Sequence, residues 1–202
     1  MLKLYFAANS RALRIAWMLE EIGLEYTLER FDLGHPDMRS DTFRSIHPMG
    51  RVPVLEDGNV RIFESGAILE YLLARHGDGR FRPAVESPDF PAYLQWLHYA
   101  EGMIMPQVNA YMVETFFLPP DRRSEIHAKR AKKLLGQMIA PLEGVLSNAD
   151  YLAGAFSAAD VMTGSAVLSA QKIGVDKTDM PALAAYATRL AARPAYQKAN
   201  AL

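Results

Sequence analysis

Leu2, Leu4 and Phe6 alternate with their neighbours at the start of the chain, a spacing that predicts a short strand over 2–6. A polar break, Ala7-Ala8-Asn9-Ser10, follows it. From Arg11 onward the period changes: Ile15, Met18, Leu19 and Ile22 recur at i, i+3, i+4 and i+7, which predicts an amphipathic helix, and Gly23 is placed to end it. Tyr26 to Phe31 reads as a second strand. The stretch 34–48 is polar, carries two prolines and has room for one short helix. Two apolar runs, Val52-Pro53-Val54-Leu55 and Val60-Arg61-Ile62-Phe63, then flank the acidic turn Glu56-Asp57-Gly58-Asn59, the pattern of a β-hairpin. A helix from Ser65 to about Arg75 closes this half, with Ile68, Leu69, Leu72 and Leu73 on one face. The order is β-α-β-α-β-β-α. Strand–helix–strand units imply parallel neighbours, and the hairpin adds an antiparallel pair.

Beyond residue 76 strand signals vanish. Residues 77–88, from Gly77-Asp78-Gly79-Arg80 to Ser87-Pro88, read as a linker. Phe90 to about Phe117 is a long helical stretch with Pro106 inside it as a kink. Pro119-Pro120 breaks the chain, and a basic amphipathic helix is predicted from about Asp121 to Leu146. Phe156-Ser157-Ala158-Ala159-Asp160-Val161 marks a helix start, with Ser157 as cap, Asp160 at the third helical position and Phe156 against Val161. Further helices are expected from Pro181 to Ala191 and after Arg193-Pro194. The expected fold is therefore an α/β unit over 1–76, a linker over 77–88 and an all-helical domain over 89–202.

Composition narrows the chemistry. The chain of 202 residues is half hydrophobic, long enough for one large domain or two small ones. Its formal net charge of −1 gives no global reason to bind nucleic acid or an anionic membrane. Arg122, Arg123, Lys129, Arg130, Lys132 and Lys133 sit among acidic and polar residues and read as a solvated helix face. No apolar run approaches a membrane span, and the start of the chain lacks signal-peptide character, so cytoplasm is the expected compartment. Cysteine is absent, which excludes disulfides, Cys-based metal sites, CxxC redox pairs and a cysteine nucleophile. The five histidines, His35, His47, His76, His98 and His127, show no ligand spacing, so no metal site is expected. If the protein performs thiol chemistry, the thiol arrives with a cosubstrate.

The densest chemistry lies between Arg51 and Ser65. Pro53 brings no N–H to a sheet ladder and belongs at a strand's first residue or on an edge; proline is also the residue most able to hold a cis peptide. Either placement leaves the backbone N–H and C=O of Val52 outside the sheet pairing. The second hairpin strand runs into Glu64-Ser65 at the start of a helix. A carboxylate, a hydroxyl and helix N–H groups in one place suit the charged end of a small zwitterion.

These features together resemble the cytosolic glutathione S-transferases, in particular bacterial-type members with a theta- or delta-like serine before the first helix. The carriers are Tyr5 to Arg14 with Trp17-Met18-Leu19-Glu20-Glu21, then His47-Pro48-Met49-Gly50-Arg51-Val52-Pro53, then Glu64-Ser65-Gly66-Ala67-Ile68-Leu69-Glu70-Tyr71-Leu72. In the helical half they are Asp150-Tyr151-Leu152-Ala153-Gly154 and Phe156 to Asp160. The resemblance implies a thioredoxin-like N-terminal domain that binds glutathione as cosubstrate, with no permanently bound cofactor, followed by an all-helical domain. Val52, before a cis Pro53, would pair its backbone with the cysteinyl part of the peptide. Glu64 and Ser65 would hold the γ-glutamyl end, and Arg51 the glycyl carboxylate by bidentate contact. The family's more usual Asn-Pro ahead of this segment is His47-Pro48 here, which makes His47 a further glutathione-binding candidate. Ser10, four residues before Arg14, matches the serine that activates the thiol; Asn9 and Tyr5 are alternatives for that role. A hydrophobic electrophile would bind in a pocket between the domains, with Phe6, Tyr99, Met103, Tyr111, Phe116 and Phe117 as candidates. A homodimer is also implied.

The activation is physically plain. A free alkyl thiol has a pKa of about 8.5, so only a few per cent is thiolate at neutral pH. Serine is too weak a base to take that proton, but it can donate a hydrogen bond to the sulfur anion, which lowers the thiol pKa. One or two donors and the positive end of a helix supply about two units. Plainer readings stand beside these. Ser10 can be only a helix cap, Glu64 and Ser65 only complements of a helix dipole, Arg51 a solvated charge, His47 a loop histidine and Tyr5 a core residue. Two other functions also fit the pattern: a glutathione-dependent disulfide reductase or peroxidase, and a non-catalytic glutathione-binding protein.

Overall fold

The computed structural model describes residues 1–175 and 178–202. The chain divides into two compact units, residues 1–81 with 191–202, and residues 82–190.

The first unit is built on a four-stranded mixed sheet in the order β2-β1-β3-β4, comprising β1 (Leu2–Ala7), β2 (Tyr26–Phe31), β3 (Val54–Asp57) and β4 (Val60–Phe63). β1 runs parallel to β2 and antiparallel to β3, and β3 and β4 form the hairpin. Helix α1 (Ala12–Ile22) crosses over between β1 and β2 and ends on Gly23, whose left-handed φ of 85° lets its N–H reach the Leu19 carbonyl. Between β2 and β3 lie a 3₁₀ turn, Pro36–Arg39, and the single-turn helix α2 (Asp41–Arg44). Helix α3 (Ser65–His76) follows the hairpin directly.

The register divides the side chains of the sheet. Leu4 lies opposite Leu55 and Tyr5 opposite Val54, so successive pairs face opposite sides. Leu4 and Leu55 belong to the fully buried set with Ile15, Trp17, Met18, Leu19, Ile68, Leu69 and Leu72 of α1 and α3. Tyr5 and Val54 pack instead with Met38 and Phe43.

The last helix, α10 (Pro194–Asn200), joins this unit rather than the helical one, which corrects the expected boundary of 89–202. Its partner is α1. The Tyr196 and Trp17 rings meet edge to face with centroids 4.9 Å apart, and Arg193 clamps the Glu21 carboxylate at 2.6 and 2.8 Å. Glu21 also accepts from the Trp17 indole N–H at 2.8 Å. The first unit extends to Phe81 at its other boundary, five residues into the expected linker; Arg80 donates to the Ile22 carbonyl at 3.2 Å.

The second unit is helical: α4 (Phe90–Tyr99), α5 (Met105–Met112), α6 (Glu125–Ile139), α7 (Pro141–Leu146), α8 (Ser165–Lys172) and α9 (Pro181–Ala191, whose last residue falls in the first unit). Where the sequence predicts a kink at Pro106, the helix widens into a π turn over Ala100–Ile104, which ends two residues before the proline that has no N–H to donate. The basic helix expected over 121–146 is divided by Pro141, which opens α7. Asp160 is fully buried at the π turn Asp160–Gly164 that precedes α8. Its carboxylate accepts from the N–H groups of Leu152 and Ser157 and the hydroxyls of Ser157 and Tyr186, at 2.9–3.2 Å. Burial pushes the Asp160 carboxyl up, and these donors oppose the shift. Among the described residues no helix is long and apolar enough to cross a membrane.

Candidate functional site

Pairing of β3 begins at Val54, so Val52 and Pro53 lie outside the ladder, and the peptide between them is cis. Val54 faces Phe63 across the hairpin. Glu64-Ser65 follows Phe63 directly, so Val52-Pro53 and Glu64-Ser65 both flank the same end of the hairpin. Arg51 is exposed, and its guanidinium makes no hydrogen bond or ion pair among the described residues.

The start of α3 is unusual in its backbone. Glu64 has φ 74° and ψ 115°, a conformation that non-glycine residues adopt at a cost of order 1–3 kcal/mol and that clusters at ligand sites. Its side chain is exposed and caps nothing, and the carboxylate has no hydrogen-bond or ion-pair partner among the described residues. Ser65 is buried and is held by Arg14, whose Nη1 donates to Ser65 Oγ at 3.1 Å. Arg14 is only 2 % exposed. A charge this deep joins α1 to the first residue of α3.

Ser10 lies one helical turn ahead of Arg14, so the same contact brings the start of α1 to the start of α3. Its hydroxyl donates to the Ala7 carbonyl at 2.6 Å and accepts from the Ala12 N–H at 3.1 Å. Ser10 therefore does cap the helix, and its single proton rests on a backbone oxygen. Asn9 is exposed with φ 57°, a left-handed position that asparagine tolerates better than most residues.

His47 is buried, 6 % exposed, and its ring lies 4.6 Å from that of Phe63, the residue before Glu64. Its Nδ1 accepts the Met49 N–H at 3.1 Å, its carbonyl accepts the Gly50 N–H at 2.8 Å, and its own N–H reaches the Phe43 carbonyl at 2.9 Å. Gly50, at φ 60°, packs so closely that a Cβ there would collide with the Met38 carbonyl oxygen. Burial holds the imidazole below its ordinary pKa; the Glu64 carboxylate opposes that shift and Arg51 adds to it.

Comparison with known proteins identifies the family. Residues 1–74 match the glutathione S-transferase N-terminal domain, and residues 104–194 match the glutathione S-transferase C-terminal domain. The chain belongs to the glutathione S-transferase family. It is 30 % identical to glutathione S-transferase 3 of Schizosaccharomyces pombe over 185 residues, covering 85 % of this chain and 75 % of that one. It is 31 % identical to glutathione S-transferase 4 of Zea mays over 191 residues, covering 89 % and 82 %. In fold it resembles the glutathione transferase homolog from Lodderomyces elongisporus, solved with two GSH per subunit, with a TM-score of 0.90 at 23 % identity over 99 % of this chain and 97 % of that one.

For this glutathione S-transferase family member the remaining candidates divide by exposure. Tyr5 lies inside β1, which continues to Ala7. It is buried between Phe31 and Phe43, with ring centroids at 6.4 and 6.0 Å, and the Lys3 ammonium lies 4.7 Å from its ring centre. That is the surroundings of a core tyrosine, not of a thiol activator. Phe6 shares the Leu4 side of β1 and is buried, so it has almost no surface to offer a pocket. Tyr99 and Tyr111 are half-buried in the helical unit; the Tyr99 hydroxyl donates to the Met138 carbonyl at 2.8 Å and ties α4 to α6. Met103, Phe116 and Phe117 are exposed, and the last two meet edge to face at 5.3 Å. Among the described residues no group of histidine, aspartate and glutamate side chains is arranged to hold a metal ion.

Arg14 is the site residue that sequence patterning misses. It shares a helix face with Met18, at i and i+4, and a charge on an apolar face is the signal that marks it.

Proposed function

We propose that the chain is a glutathione S-transferase that binds glutathione at the Val52–Pro53 and Glu64–Ser65 edge of its first unit and transfers the thiolate to a small hydrophobic electrophile. The observation that carries this reading is the start of α3. An exposed carboxylate with no hydrogen-bond or ion-pair partner among the described residues, on a backbone in an unfavourable conformation, precedes a buried serine fixed by a buried arginine. A fold retains such strain where a ligand uses it. The γ-glutamyl ammonium would meet Glu64, its carboxylate the Ser65 hydroxyl and the first N–H groups of α3, the cysteinyl backbone Val52, and the glycyl carboxylate Arg51.

Ser10 is the proposed thiol activator, and its geometry specifies how. The hydroxyl has one proton, now given to Ala7. To stabilise a thiolate it rotates away from that carbonyl and donates to sulfur. A hydrogen bond to an anion is about twice as strong as one between neutral groups, so the exchange favours the bound thiolate. The oxygen keeps the Ala12 N–H as donor in either orientation, which holds it in place through the exchange. The positive end of α1, which begins two residues later, adds to the same effect.

Met103, Phe116 and Phe117 are the exposed apolar side chains best suited to a hydrophobic substrate. Detoxification of electrophiles by a cytoplasmic homodimer completes the reading, on the precedent of the family. Retention on immobilised glutathione, thermal stabilisation by glutathione and conjugation of a chlorinated nitroarene test it together. Failure of both binding measurements would sink it.

A further inference from the structure

Resting on the glutathione-binding reading above, we propose that His47 is a positioning residue: its neutral imidazole locks the turn that presents Arg51 and Val52 to glutathione, and protonating it loosens that turn.

The geometry is that of a side chain acting as a turn closure. His47 Nδ1 takes the N–H of the residue two positions on, and its backbone carbonyl takes the N–H of the residue three positions on. Asparagine closes turns in the first of these ways through its side-chain oxygen. An imidazole nitrogen can accept only while it is unprotonated, so the proton of the neutral ring sits on Nε2. The residue is fixed from three directions, two of them through its ring. Its Nδ1 holds Met49, α2 accepts its backbone N–H through the Phe43 carbonyl, and β4 meets it through the Phe63 ring. The charged groups facing it are Glu64, ahead of α3, and Arg51, on its own loop. His47 thus couples both arms of the candidate site without making the contact to glutathione itself.

Protonation converts Nδ1 into a donor aimed at another donor, the Met49 N–H. The ring must turn or the loop must move, and the buried imidazolium is poorly solvated besides. Asparagine at this position keeps an acceptor for the Met49 N–H and cannot titrate. Leucine fills the space and offers no acceptor.

The test measures dissociation constants of S-methylglutathione, which has no titrating thiol, across the acid range for the wild type, His47→Asn and His47→Leu. The wild type should weaken at least about threefold from neutral pH to about pH 5, where histidine charges. His47→Asn should bind within about twofold of the wild type at neutral pH and lack that acid loss, because its amide closes the same turn. His47→Leu should bind at least about fivefold more weakly at neutral pH, with no histidine-dependent limb, from loss of the turn closure. Nitrogen NMR of the wild-type imidazole should show the proton on Nε2. Equal neutral-pH binding by His47→Leu and the wild type would overturn the proposal, as would tighter wild-type binding in acid, an undiminished acid limb in His47→Asn, or a proton on Nδ1. If the leucine variant fails to fold, the asparagine comparison and the tautomer still decide. A wild type with no affinity at any pH overturns the glutathione reading itself, an outcome separate from any difference among variants.

Discussion

Two helix starts in this molecule use nearly the same residue types to opposite ends. At Ser157–Asp160 the carboxylate is fully buried and receives donors from Leu152, Ser157 and Tyr186. At Glu64–Ser65 the carboxylate is exposed and makes no hydrogen bond or ion pair among the described residues, while its backbone takes a costly φ. The first start is closed: its acceptors are used by the fold, so it contributes stability. The second leaves its carboxylate without a hydrogen-bond or ion-pair partner among the described residues. A serine and an acid at a helix start are therefore not informative by type alone; what separates the two is whether the protein completes the hydrogen bonding.

The largest expected effect comes from opening the closed start. Asp160→Ala strands the Leu152 and Ser157 N–H groups and the Tyr186 hydroxyl in the core of the helical unit. Hydrogen bonds to a charged group are worth about 1.5–3 kcal/mol each in stability, and they are not additive. A loss of about 3–5 kcal/mol is expected, read as a fall of about 10 °C in melting temperature for a chain of this size. A loss below about 1 kcal/mol would remove the distinction, because it would mean the closed network stabilises little.

Glu64→Gly should act in the opposite sense. Glycine relieves the positive φ, so stability should hold or rise by about 1 kcal/mol, while the Michaelis constant for glutathione rises at least about tenfold, equivalent to about 1.4 kcal/mol. A variant that loses stability and keeps its glutathione affinity would reverse the reading of this turn. Ser10→Ala is intermediate. Loss of the helix cap should cost about 1 kcal/mol of stability, and loss of the donor should cut turnover at least about tenfold and raise the pKa of the bound thiol. A lower melting temperature with an unchanged pH–rate profile would leave Ser10 as a cap only and move thiol activation to Asn9 or to backbone N–H groups.

Sequence patterning reaches these elements unequally, for physical reasons. The strands, α1 and α3 follow from apolar spacing, because a half-buried element must repeat with its own geometry. Val52-Pro53 and Glu64-Ser65 stand out by residue type, since a proline at a strand mouth and an acid at a helix start each have few structural uses. The φ of Glu64 leaves no trace in composition, because it is imposed by the surroundings of a non-glycine residue. Arg14 is hidden by the habit of placing arginine at the surface, and only its company with Met18 on one face betrays it. The assignment of α10 to the first unit depends on Glu21 meeting Arg193 across most of the chain length, which no local window contains. Tyr5 misleads because residue type alone does not say which side of the strand is covered, and here Met38 and Phe43 bury it.

A third acid, Asp57 at the end of β3, lies between the two extremes and gives the smallest effect. It accepts from His76 Nε2 at 2.8 Å and from the Tyr71 hydroxyl at 3.0 Å, and it is partly exposed. The His76 hydrogen bond is the main cause that holds its carboxyl below the ordinary range, and Tyr71 adds to it. A depressed native pKa means that the unfolded chain binds the proton first as pH falls. The stabilisation is therefore complete above the unfolded carboxyl value of about 3.9 and is lost as pH drops through the native one. Asp160, raised by burial, has the opposite sign: its native state takes up the proton first, so its contribution grows as pH falls through the raised value. Tyr71→Phe should destabilise by about 0.5–1 kcal/mol at neutral pH, and the difference from the wild type should shrink as pH falls below about 3.9 and through the lowered native value of Asp57. Urea unfolding of both proteins at several pH values measures it. A difference that stays constant across that range would show that the Tyr71 hydroxyl acts through packing, not through the charge of Asp57.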